Sequence, residues 1–218
     1  MEQLQEAARL NSVGASRLAS NDRSGAVAIL KTAIQIMDTI SRAPEVEGHI
    51  RSNQEQVAGA LDMPESCAVM DDTFFVYNRP LLFQVSPQAL DLGFYNAVLM
   101  FNLALAFHQE AVHRGQAAKF QKAANLYHLC YNLLAGDATA CSGALILAAM
   151  NNATHAYLKI GAYDKFREGL QDLEQHAAYY AALQSSPSDA AAPFDAKHFE
   201  EFFLNITLAQ EPTAAPCA

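Results

Sequence analysis

Basic side chains are scarce in this chain. Its 218 residues carry 14 Lys and Arg against 23 Asp and Glu, a formal charge of −9. A surface with that balance lacks the cation clusters that hold nucleic-acid phosphates or anionic lipid headgroups, so neither is an expected partner. Long apolar runs are also missing. The longest, Ala144 to Met150, is far shorter than a bilayer requires. Met1 to Ser12 carries Glu2 and Glu6 in place of a basic start and apolar core, which argues against a secretory signal. The four cysteines, Cys67, Cys130, Cys141 and Cys217, have no paired-ligand spacing and are too few for a disulfide framework. Reduced thiols in the cytoplasm are the simplest reading.

Chemical motifs are absent as well. No Gly-rich phosphate loop, G-x-S-x-G elbow or H-E-x-x-H pair occurs. His108 and His113 are five residues apart on one predicted helix and so fall on different faces; no metal or cofactor is expected. Cys130 occupies a core position, as a small hydrophobe. Glu168, Asp172 and Glu174 read as a solvated helix face. Asn152-Ala153-Thr154 and Asn205-Ile206-Thr207 match the glycosylation sequon but lie inside predicted helices, so the match is accidental.

What the chain does have is alanine, leucine and helical periodicity. Scattered Val and Ile do not alternate, and Ala with straight-chain residues favours helix over strand. The spacing predicts a helix over residues 3 to 20, a break at Asn21-Asp22, and a second helix over 24 to 42. Pro44 stops that helix, and residues 43 to 86 interrupt the pattern. Glu45 to Met63 reads as a loop or a loose helix. Thr73 to Phe83 is aromatic, β-branched and broken by Pro80, which suits an extended segment lying across the helices with Phe74, Phe75, Leu82 and Phe83 buried. Ser86-Pro87 starts the next helix, running to His113 with Gly115 at the turn. Gly136-Asp137 separates helices again, and a further helix covers 138 to 160. Residues 184–194 read as a linker, 195–210 as a C-terminal capping helix with Phe199, Phe202, Phe203 and Ile206 on its apolar stripe, and 211–218 as a frayed tail.

Leu10, Val13, Gly14, Ala26, Leu30 and Ala33 form one set of small and large residues. Asn102, Leu103, Ala104, Phe107, Ala123, Tyr127 and Cys130 form a second, with a lengthened turn between its halves. Asn152, Ala153, Thr154, Tyr157, Gly161, Tyr163, Phe166, Leu170 and Leu173 form a third. Together they resemble the tetratricopeptide (TPR) pattern. The resemblance implies an all-α, TPR-like α-solenoid of about three antiparallel hairpins plus a C-terminal capping helix, with an irregular insertion after the first hairpin. Residues 1–210 would form one domain.

It also implies a function: a non-catalytic protein- or peptide-binding scaffold using the concave face. Carried onto this chain, the family's groove positions hold Asn11, Leu18, Phe101, Leu105, His108, Gln109, Asn151, His155 and Lys159. Asn102 and Asn152 stand at equivalent places in two repeats, and an amide can both donate to and accept from a peptide backbone. The alternative for these asparagines is an exposed polar or structural role. The alternatives for the protein are a structural module whose groove is filled by its own 73–85 segment, or a small-molecule binder or enzyme. Some TPR domains clamp the carboxylates of chaperone tails with cations; the corresponding positions here are Asn11, Ala15, Asn102, Ala148 and Asn152. None is cationic, so an acidic chaperone tail is not an expected partner.

Overall fold

A computed structural model describes residues 1–42, 61–62, 68–71, 74–85, 91–135, 140–184 and 202–207. It is predominantly helical, as the composition requires. α1 (Glu2–Ala19) turns into α2 (Arg23–Ser41) through Asn21, whose φ of 62° is left-handed. Asp22 caps α2 by accepting from the Gly25 N–H at 3.0 Å. The two helices approach closely because Gly14 has no side chain: a Cβ there would lie 2.8 Å from Leu30 Cγ. Leu30, Ala33 and Met37 of α2 are fully buried, and each of the larger two contributes about 1.5–3 kcal/mol from burial.

α3 (Leu92–Arg114) is apolar almost all round and lies at the centre of the core. Asp91 caps it, accepting from the Phe94 N–H at 2.8 Å. This start is later than Ser86, which lies outside the described residues. Gly115, at φ 63°, ends α3 and turns the chain into α4 (Ala117–Leu134). α5 (Ala140–Lys159) and α6 (Tyr163–Gln184) form the last hairpin around Gly161 at φ 74°. Each helix packs on the next, and α2 packs directly on α3, so the insertion between them does not break the stack. Bulky Phe166 is only half-buried. The close approach of α6 to α5 comes instead from Gly169, where a Cβ would lie 2.5 Å from Thr154 Oγ1.

The insertion is partly β-structure. β2 (Ala68–Asp71) pairs antiparallel with β3 (Phe74–Tyr77), and β1 (Leu61–Asp62) pairs antiparallel with β4 (Leu82–Phe83). Residues 43–60, the bulk of the stretch read as loop or loose helix, lie outside the described residues. Phe74 and Phe83 are buried as expected, but Phe75 is half-buried and Leu82 exposed. Val76, Tyr77 and Leu81 fill the interior in their place. Two helical turns at 202–207, here α7, are the described part of the C-terminal helix. α7 docks on the insertion itself: Phe202 stacks on Tyr77 with ring centroids 5.1 Å apart.

Candidate functional site

The helices α1, α3 and α5 turn one face each towards residues 74–83, and five asparagines stand on those faces and on α7. Asn152 of α5 accepts from the Tyr77 N–H at 2.9 Å through Oδ1 and donates to the Tyr77 carbonyl at 2.9 Å through Nδ2. Asn102 of α3 does the same to Leu81, at 2.8 Å and 2.7 Å. Asn205 of α7 does it to Phe75, at 2.7 Å and 2.9 Å. Each side-chain amide grips both main-chain groups of one residue, as a neighbouring strand would.

The wiring behind the clamps repeats too. Asn102 Nδ2 donates to Asn11 Oδ1 at 2.8 Å, while Asn11 Nδ2 donates to the Leu81 carbonyl at 3.0 Å. Asn205 Nδ2 donates to Asn151 Oδ1 at 2.6 Å, while Asn151 Nδ2 donates to the Phe75 carbonyl at 2.8 Å. For Asn152 the second partner is Tyr127, whose hydroxyl accepts at 3.1 Å. Between the clamps, Gln109 Nε2 donates to the Asn78 carbonyl at 2.9 Å. All five asparagines are buried, and full pairing is what makes that tolerable.

The pleat explains the alternation along β3. In an antiparallel strand, residues two apart direct N–H and C=O to the same edge. Phe75 and Tyr77 face the asparagines, which leaves Phe74 and Val76 to face β2, their partners there being Asp71 and Val69. β3 therefore has a strand along one edge and a row of amides along the other.

Beneath Phe74 lies a buried imidazole pair. His108 Nε2 is 2.8 Å from His155 Nδ1, and His108 Nδ1 is 3.3 Å from the Tyr127 hydroxyl. Burial pushes the Tyr127 phenol well above its usual range, so it stays protonated. Its oxygen accepts from Asn152, so a continuous chain of contacts runs from Asn152 through Tyr127 and His108 to His155. The Phe74 ring lies 5.5 Å from His155 and 6.4 Å from Phe166. Phe101 leans on Tyr127 at 5.5 Å, and Phe83 stacks on Tyr95 at 4.8 Å. Cys130 is fully buried, and burial raises its thiol well above the usual range.

Of the residues assigned to the groove, Asn11, Phe101, Asn102, His108, Asn151, Asn152 and His155 come together here, all at 1 % exposure or less. The chain's own extended segment lies over the four asparagines and His155, while Phe101 and His108 pack on Tyr127. Lys159 is half-buried at the end of α5. Asn205 and Tyr127 belong to the site although the sequence offered them as an accidental sequon and a core residue. The signal for Asn205 was an asparagine between Phe202 and Ile206 on the buried stripe of a short helix.

A recess of about 420 Å³ opens between α4 and α6, lined by Tyr127, Tyr131, Met150, Lys165 and Asp172 among others. His128 there is 2.7 Å from the Tyr157 hydroxyl. Among the described residues no group of three His, Cys, Asp or Glu is placed to hold a metal ion. No described helix is long and apolar enough to cross a membrane. No known family model matches the chain, and no curated protein or solved structure does.

Proposed function

We propose that this chain is a TPR-like, cytoplasmic and non-catalytic scaffold that holds an extended polypeptide on the concave face formed by α1, α3 and α5. The observation that supports this reading is the treatment of Phe75, Tyr77 and Leu81. Each is gripped through its main-chain N–H and C=O by one asparagine. Main-chain grip recognises extended backbone, whatever chain supplies it. The partner would be a protein or peptide, with nucleic acid and membrane surfaces disfavoured by the charge of −9.

Occupancy of the groove favours a second reading, in which the asparagines serve only to fix the chain's own insertion. A peptide library presented to the full-length protein separates the two. Phe74→Ala with Leu81→Ala loosens the resident segment without touching the clamps. The loosened protein is expected to capture peptides, and adding Asn102→Ala and Asn152→Ala to abolish capture. A folded, loosened protein that captures nothing would leave the purely structural reading.

A further inference from the structure

Resting on that reading, we infer that the groove's ligand in trans is an extended segment of about ten residues with no charge at its buried places. Its apolar side chains fall at the places that Phe74, Val76, Tyr77, Leu81 and Phe83 fill in the resident segment. The clamps set the polarity and register of such a ligand. Backbone groups are required at the places of Phe75, Tyr77 and Leu81 and a carbonyl at that of Asn78, so the ligand runs from α7 and α5 towards α3 and α1.

The side-chain sites then set its chemistry. Phe74 meets His155 and Phe166, Tyr77 meets Phe202, and Phe83 meets Tyr95. All five resident side chains at these places are at most 7 % exposed. A charge at any of them would be desolvated against aromatic rings and neutral amides. The intervening places differ. Arg79 and Leu82 are exposed, so a partner segment can carry any residue there. Pro80 has no N–H to offer, and the resident segment is held without one at that place.

The test uses a labelled peptide with the sequence of residues 73–84 and the full-length protein carrying Phe74→Ala and Leu81→Ala. The matched peptide is expected to bind at least about 100-fold more tightly than a scrambled one or one carrying Tyr77→Glu and Leu81→Asp. Equal binding of all three would overturn the ligand class while leaving the peptide-holding reading intact. A folded variant that binds none would remove both. Should that variant not fold, hydrogen exchange on the wild-type chain decides. Excess matched peptide should speed exchange of the Phe75, Tyr77 and Leu81 amides at least about 10-fold, with α3 unaffected. Rates unchanged at every peptide concentration would overturn the inference.

Discussion

Asn152 makes three hydrogen bonds to Tyr77 and Tyr127 from a site with no solvent exposure, and its loss cannot be repaired by water. Asn152→Ala takes the side-chain partner from the Tyr77 N–H and C=O, each at a cost of about 1–3 kcal/mol. Urea denaturation should therefore show a loss of about 3 kcal/mol. Asn125→Ala, on the exposed face of α4, should stay within about 0.5 kcal/mol. A loss at Asn152 no larger than at Asn125 would mean that the clamp contributes nothing. Asn102 and Asn152 were legible in the sequence because an amide recurred at the same place in two apolar repeats. What they grip was not, since the ladder joins residues as far apart in the chain as Phe75 and Asn205. No local pattern encodes a contact of that separation.

The helices were legible for a physical reason: small residues placed four or seven positions from larger ones leave only one way to stack the hairpins. Ala26 shows how tightly. It is fully buried on α2, the helix whose Leu30 packs against Gly14 of α1. Ala26→Leu forces three extra carbons into that contact and should destabilise the protein by about 1–3 kcal/mol. Chemical denaturation showing no loss would mean that the hairpin has room the geometry denies. β2 was not legible. Ala68-Val69-Met70-Asp71 has no clear alternation, and strand pairing depends on a partner rather than on local preference. Phe166 is a departure from the TPR pattern. It stands where a small residue would mark the close approach, but the helix makes that approach three residues later, at Gly169.

At the scale of the whole molecule, residues 74–83 of the insertion lie against the helices and bury Phe74, Val76, Tyr77, Leu81 and Phe83 there. Removing residues 73–85 would uncover Phe166, Phe202 and Tyr95 together with five amides deprived of their main-chain partners. The deletion variant should aggregate, and light scattering would show it; a soluble, cooperatively unfolding monomer would contradict the packing. The same neutral, covered groove decides against one class of ligand. Asn11, Ala15, Asn102, Ala148 and Asn152, the positions that the TPR resemblance would assign to a carboxylate clamp, are all buried, and none carries a positive charge. A chaperone tail would bring carboxylates to a protein already at −9. It would have to displace an apolar segment held by three two-bonded clamps, with no charge-assisted hydrogen bond to offset desolvation. Calorimetry with a short peptide ending in Glu-Glu-Val-Asp should show no binding heat at peptide concentrations of about 1 mM, an affinity weaker than −4.1 kcal/mol. Micromolar binding abolished by Asn102→Ala would show that the groove opens to acidic ligands and that its neutrality does not govern what it holds.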